Sequence, residues 1–366
     1  MSKAIDGKEA IVIGYRLPSV GGSFQLDRRC PDCRRLAGRI HTAIRHRGIS
    51  DPKVATVPQR RMRCGHCGLT WTLRADGVKP NRQRSERLRW VGVVLYMLGL
   101  SYRHAADVLR MLEWQASKSA VERDVAEAAQ AARSAHQAAP PLRVRVLGVD
   151  GTGAAMAGRQ AGMVFFVDVE RGKLLCVEPL SETDTRAVRR HVGRVLAAVG
   201  AEQLRTDEHS VYEGIVPPER HRLCLAHWRK SKGKRAWELR RQAEAEDRPL
   251  EAQTMRQLQD LLALAPRPPT VPPELSRLVG RYINARKGLP WKVNQLLQHV
   301  ERTWERVSDD PVDPTNNVTE RTIGLTYKIR SKTMRGFKSQ AKALAHPHLA
   351  SLLRGDQGLC DLRQVL

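Results

Sequence analysis

Val144-Arg145-Val146-Leu147-Gly148-Val149-Asp150-Gly151-Thr152 is the stretch on which the reading of this chain turns. Val144, Val146, Leu147 and Val149 pattern as a buried strand ending at Asp150. Met163 to Val169 and Leu174 to Val177 read as two further strands. A helix is expected over 183–199, then a strand over 203–206 ending at Asp207, and another over 220–224. Three strands, helix, strand, helix, strand describes a mixed sheet with helices on its faces. Asp150 and Asp207 would then lie at the ends of neighbouring strands.

Downstream the pattern turns helical over Lys234 to Leu262, Pro273 to Ala285 and Pro290 to Val307. The run Pro266-Arg267-Pro268-Pro269-Thr270-Val271-Pro272-Pro273 cannot be helical and reads as a stiff spacer. After it, Thr315-Asn316-Asn317-Val318-Thr319-Glu320-Arg321 offers a third acid, Glu320, on a short helix. Each acid also has a plain structural reading. Asp150-Gly151 could be a strand-end turn, Asp207 a helix cap, and Asn317-x-x-Glu320 a capping box. Asp168 and Asp184 are competitors. Asp168, placed in mid-strand, is expected to form a salt bridge or face outward.

The charge balance narrows the partners. With 63 Lys and Arg against 38 Asp and Glu, the formal net charge is +25, which points to nucleic acid. Residues 28–89 carry 17 Lys and Arg against 4 acids. Residues 321–338 carry Arg321, Lys328, Arg330, Lys332, Arg335 and Lys338 with no acid. No apolar run approaches the roughly 20 residues of a membrane span, and the N-terminus lacks a signal-peptide core. A cytoplasmic, nucleoid-associated protein is expected.

Seven cysteines include two C-x2-C pairs, Cys30/Cys33 and Cys64/Cys67. Four thiolates on two turns suit a tetrahedral structural Zn2+ in a reducing compartment. The 30 residues between the pairs exceed the usual interval of about 15–20, leaving the intervening loop undefined. Three helices follow. Leu88, Val91, Leu95 and Leu98 mark one face of the first. Ser101 caps the second, with Ala105, Val108, Leu109 and Leu112 inward. Ser117 or Ser119 starts the third, with Val121, Val125, Ala128 and Ala132 inward. Helix, tight turn and longer helix is the arrangement of a helix-turn-helix, which would set Lys118, Glu122 and Arg123 nearest the bases. A plain helical linker is the alternative. His221-x2-Cys224-x2-His227 could supply three ligands of a second zinc, but no fourth is evident.

Taken together, the three acidic motifs, the paired cysteines and the helical triplet make most of the chain resemble the DDE transposases of bacterial insertion sequences. The resemblance implies an RNase H-like catalytic domain interrupted by an all-helical insertion. It implies that Asp150, Asp207 and Glu320 hold Mg2+ or Mn2+ and that the protein cuts and joins DNA strands. Cys224 and His227 match a C-x2-H signature of some such enzymes, and are expected to be a partly buried structural pair near the site. Arg321, Arg330, Lys332, Arg335 and Lys338 are expected on DNA phosphates. The implied partner is double-stranded DNA, bound by a homodimer or higher oligomer. The expected layout is an unassigned 1–27, a zinc-ribbon-like 28–78 and a helical module 79–139. The catalytic domain would occupy 142–228 and 311–366 around an insertion at 229–310. A non-catalytic DNA-binding regulator, or a nuclease that cuts without joining, are the rival readings.

Overall fold

The computed structural model describes residues 14–21, 28–138, 143–156, 159–264, 273–284, 290–307, 317–334, 337–353 and 359–361. The chain is a mixed α/β protein in two compact units, Met1–Ala138 with Ala341–Leu366, and Ala139–Gln340. The division after 138 falls where the helical module was expected to close. The expected C-terminal segment 311–366 is itself divided: Glu320 stays with the second unit, while residues from Ala341 onward join the first. Among the described residues no helix is long and apolar enough to cross a membrane.

In the first unit, β1 (Gly14–Arg16) pairs in parallel with Leu359–Asp361, a late strand labelled β11. β1 falls in the segment 1–27, whose residues 1–13 and 22–27 lie outside the described residues. The long interval between the cysteine pairs is ordered sheet. It holds β2 (Gly38–Ile40), β3 (Arg45–Gly48) and β4 (Thr56–Cys64), and β5 (Thr70–Arg74) follows; β4 pairs antiparallel with the other three. Helices α1 (Glu86–Met97), α2 (Tyr102–Met111) and α3 (Lys118–Ala138) come next. Ser85, Ser101 and Ser117 each accept a bond from the N–H three residues on, at 3.0 to 3.1 Å, satisfying an otherwise orphaned donor.

The inner face of α1 differs from expectation. Leu88, Trp90, Val93 and Tyr96 are buried, whereas Leu98 is 63% exposed. The rotation follows from Arg89, buried by ion pairs to Asp124 and Glu127 of α3. A salt-bridged arginine on the inner face interrupts the leucine pattern. On α2 the buried positions are Ala105, Ala106 and Leu109, and Leu112 is half exposed, while α3 buries the four positions expected.

The second unit contains a five-stranded sheet in the order β10-β9-β6-β7-β8. These strands are β6 (Val146–Met156), β7 (Arg159–Asp168), β8 (Lys173–Glu178), β9 (Gln203–Thr206) and β10 (His221–Leu223). The first three pair antiparallel in sequence; β6 with β9, and β9 with β10, are parallel. Helix α4 (Thr185–Val199) is capped by Asp184. It packs Val188, Val192 and Leu196 against Leu147, Val149, Val164 and Phe166. Asp168 is not in mid-strand but ends β7. It is fully buried and held by Arg171 and by the N–H groups of Glu170 and Arg171.

Helices α5 (Leu225–Ala245), α6 (Pro249–Leu264), α7 (Pro273–Asn284) and α8 (Trp291–Val307) form a second core around Trp228, Leu258, Leu297 and Trp304. The single helix expected over 234–262 breaks because Asp247 has φ +51° and Pro249 cannot donate to the preceding turn. Of the proline-rich spacer, Pro273 is helical and opens α7, since a proline is tolerated in a first turn, and the rest lies outside the described residues. Helix α9 (Asn317–Ile323) runs through a π segment, Gly324–Lys328, into α10 (Ile329–Thr333); α11 (Gln340–Leu353) follows.

Gly148 governs how α9 meets the sheet. A Cβ at Gly148 would lie 2.2 Å from Thr319 Oγ1 and 2.8 Å from Val169 Cγ2. Only a bare backbone lets α9 come this close, and Glu320 is the next residue. Gly148→Ala is therefore expected to destabilise the second unit by about 1–3 kcal/mol through overpacking. Gly193 on α4 meets nothing within 4 Å, so Gly193→Ala should stabilise by up to about 1 kcal/mol. Urea unfolding of both variants checks the pair; equal behaviour would contradict this account of α9.

Candidate metal centres and acidic site

The four cysteines of the first unit lie together. Cys30 Sγ is 3.6 Å from Cys67 Sγ, and Cys33 Sγ is 3.7 Å from Cys64 Sγ. These separations match the edge of a tetrahedron with metal–sulfur bonds of about 2.3 Å. They far exceed a disulfide bond of about 2.05 Å. Cys64 accepts from the N–H groups of Cys67 and His66, which hold its thiol down at about 6, within reach of the thiolate a metal requires. The donor set fits a structural Zn2+. His41 and His46 are not part of it. One zinc per chain is the expected stoichiometry, and Cys64→Ser should abolish it and unfold β2 to β5. Metal analysis and hydrogen exchange of the variant measure the two effects.

In the second unit, Asp150 does not end its strand. β6 continues to Met156 alongside β7, but its pairing with β9 stops at Gly148. Asp150 thus lies just beyond the point where the β9 side of the strand opens. It is 9% exposed, and among the described residues no hydrogen bond or ion pair holds its carboxylate. Burial raises its pKa to about 6, helped by the charge of Asp207 and, more weakly, of Glu182 and Glu320; Lys328 opposes the shift. Asp207 follows β9 directly and accepts from the His209 N–H at 3.1 Å. Its neighbour Glu208 is held by Lys232 of α5 and His299 of α8, so these two helices fix the turn carrying Asp207.

Glu320 projects from α9 and meets His227 Nε2 at 3.2 Å. Ligand atoms of Cys224, His227 and Glu320 lie within 4.8 Å of one another. Asp150 and Asp207 do not join that group, so the three acids act on one another at longer range than a shared ligand shell. Cys224 is buried at the start of α5, as expected of a structural residue, whereas His227 is exposed. His221 is not a zinc ligand beside them. It is buried between Thr206 Oγ1, at 2.9 Å, and the Arg306 guanidinium, and burial followed by that positive charge lowers its pKa to about 4. It ties β10 to β9 and α8 as a neutral ring.

The basic residues separate into classes. Lys118 and Arg123 are exposed on α3, and Arg123 lines an open cleft of about 740 Å³ with Arg82, Arg84, Arg110 and Trp114. Arg321, Lys332 and Lys338 are exposed in the second unit. Arg330, expected on a phosphate-facing surface, is instead only 6% exposed. Arg335 lies outside the described residues. Reading the sequence missed Glu182, in the turn before α4, whose charge acts on Asp150, and the effect of Lys328 on the same group. Neither sits at the end of a strand, the signal that exposed Asp150 and Asp207.

No protein-family profile matches this chain, and no characterised protein matches it in sequence.

Because the carboxyl of Asp150 titrates near 6 in the fold and near 3.8 in its ordinary state, the protonated form is the one folding favours. Its contribution is fully present below pH 3.8 and is lost as pH rises through about 6. In metal-free protein, Asp150→Asn should raise stability at pH 7.5 by up to about 3 kcal/mol, with the gain shrinking toward pH 4. Urea unfolding at the two pH values tests both the sign and the trend.

Proposed function

We propose that this chain is a DDE-type transposase of an insertion sequence, which cleaves and joins DNA strands with the acids Asp150, Asp207 and Glu320. The strand order and directions of the five-stranded sheet are those expected of an RNase H-like domain. The helices from α5 to α8 occupy the place of an all-helical insertion before the third acid. The single observation that carries the reading is Asp150. It is a buried carboxylate with no bonded partner, and two further acids from β9 and α9 act on its charge in a chain of net +25. Ordinary folding pairs a buried carboxylate with the abundant Lys and Arg, so an unpaired Asp150 with acids acting on it is best explained as part of a reserved cation site.

The donor set supports this assignment. Carboxylate oxygens suit Mg2+ or Mn2+, while the thiol of Cys224 and the imidazole of His227 are softer donors. Divalent cations bound there would activate water or a DNA 3′-hydroxyl and stabilise the leaving oxygen. Asp150 and Asp207 would hold them at the open edge of β6. Glu320 would reach them from α9, and the short contact to His227 fixes where its carboxylate starts. The exposed Lys118, Arg123, Arg321, Lys332 and Lys338 supply positive charge for the DNA backbone. The two-unit chain would act on DNA as a homodimer or larger assembly.

Purified protein, incubated with its own flanking DNA and Mg2+, should nick the element's ends and join them to a target. Glu320→Gln should retain end binding while cleavage and joining fall by at least about 10³-fold, since a charged ligand is lost with little change of shape. Cleavage without joining would favour the nuclease reading, and end binding with neither would favour a regulator.

A further inference from the structure

The first turn of α5 meets α9 at a mixed set of donors. Cys224 is the N-cap residue of α5 and His227 stands three residues on, so both side chains leave one face of the first helical turn. The backbone fixes Cys224 in place: its N–H donates to Thr206 O at 2.8 Å, and its carbonyl accepts from the Trp228 N–H at 2.9 Å. The residue is buried and in no disulfide. Glu320 comes from the first turn of α9 and brings Oε1 to 3.2 Å from His227 Nε2. One ligand atom from each of the three residues lies within 4.8 Å of the other two.

A histidine and a glutamate with 45% and 38% side-chain exposure are, alone, an ordinary surface contact. A buried cysteine is, alone, an ordinary small apolar residue. Their convergence is what needs a reason. Thiolate sulfur, imidazole nitrogen and carboxylate oxygen are together the donors that zinc takes. Bonds of about 2.0–2.3 Å set tetrahedral edges of about 3.4–3.6 Å. The contact between His227 and Glu320 is already close to that edge, and both side chains have room to close on a thiol that the backbone holds still. The N–H groups of the first turn favour the negative charge of a metal-bound thiolate. Mg2+ prefers an all-oxygen shell, so this set selects a different ion from the sheet acids.

We infer that Cys224, His227 and Glu320 form a Zn2+ site with its fourth position open to solvent, and that an ion bound there holds Glu320 away from Asp150 and Asp207. The site stands on its own donors; its effect on activity rests on the strand-transfer reading proposed above, in which Glu320 is the third acid. Zinc here would act as an inhibitor. Three protein ligands hold zinc less tightly than four thiolates, so dialysed protein keeps only the ion of Cys30, Cys33, Cys64 and Cys67.

Co2+ titration of the full-length protein, dialysed with its four-cysteine site zinc-loaded, tests the assignment by absorption spectroscopy. Wild type should take up one Co2+ with a thiolate-to-cobalt charge-transfer band and the visible bands of four-coordinate cobalt. Cys224→Ser should lose the charge-transfer band. His227→Ala and Glu320→Gln should each weaken binding by at least about tenfold, as the loss of even an outer partner of a ligand does. Glu202→Gln, at an exposed acid elsewhere on the unit, should leave it unchanged. A wild type without the band, a band that survives Cys224→Ser, or an affinity unchanged in Glu320→Gln overturns the site. Where Cys224→Ser fails to fold, the other two variants decide. Zn2+ at the same occupancy should suppress Mg2+-dependent cleavage, and His227→Ala should need more Zn2+ for the same suppression. Undiminished cleavage with the ion bound overturns the withdrawal of Glu320. Protein that shows the band but never cleaves DNA with Mg2+ alone keeps the zinc site and loses the transposase reading.

Discussion

In the second unit the buried carboxylate of Asp150 on β6 lies within electrostatic reach of acids from three further elements: Asp207 after β9, Glu182 before α4 and Glu320 on α9. Two charges about 4 Å apart at an effective dielectric near 20 interact by about 4 kcal/mol, so such a gathering must be imposed by packing. The packing devices are visible. Gly148 lets α9 come down on the sheet, Gly151 and Gly162 let the turn of Glu182 lie flat, and β9 stops short so that the Asp150 side of β6 is uncovered. Lys232 and His299 take up Glu208, the acid that does not belong to the group, and so separate it from Asp207. Sites whose side chains are held in unfavourable company at the expense of stability are where function is to be sought.

How much of this could be read from the chain depends on which force decides each element. The strands β8, β9 and β10 and helix α4 were legible to within about two residues, whereas β6 runs on to Met156 and β7 begins at Arg159. Their apolar residues fall in short runs, and Asp184 and Gly200 punctuate the helix as capping chemistry requires. The cysteine pairs were legible because ligand spacing is a local property. The face of α1 was not, since Arg89 turns inward to meet acids 35 and 38 residues away, and periodicity carries no record of such partners. The break between α5 and α6 was written in Asp247 and Pro249, but the apolar period ran through it. The extension of β6 past Asp150 was hidden because Gly151, Thr152 and Gly153 look like a turn; pairing with β7 overrides that local preference.

The site was legible in its acids and not in their surroundings. Asp150 and Asp207 announce themselves by following apolar strand patterns, and Glu320 by its place in the first turn of a short helix. Glu182 lies in Ser181-Glu182-Thr183-Asp184, where every residue has a local reason to be present as turn or cap. Only the bare backbone of Gly151 and the hydroxyl of Tyr212, 30 residues on, single it out. The histidines divide in the same way. His221 and His227 sit six positions apart in one motif, yet one is a buried neutral strut and the other an exposed partner of Glu320. Spacing proposed them as equals, and burial separated them.

The contact between His227 and Glu320 bears on how such a site could be held before it is filled. Of the three acids expected to act together, Glu320 alone has a side-chain nitrogen at hydrogen-bond distance among the described residues, and it is the one carried on a separate helix rather than on the sheet. Asp150 and Asp207 are fixed by β6 and β9, so their repulsion is built in by the sheet. The repulsion that Glu320 would add depends on where its side chain points. A histidine beside it offers an alternative partner at little cost, because both groups are partly exposed and their pairing is worth about 1 kcal/mol or less. That is weak enough for a cation between the sheet acids to outcompete. Without a metal ion, Cys224 below, buried and apolar in behaviour, contributes shape rather than charge. The C-x2-H spacing on the first turn of α5 is thus accounted for by position: it sets one nitrogen where the third acid rests and leaves the sheet acids free of competing ligands.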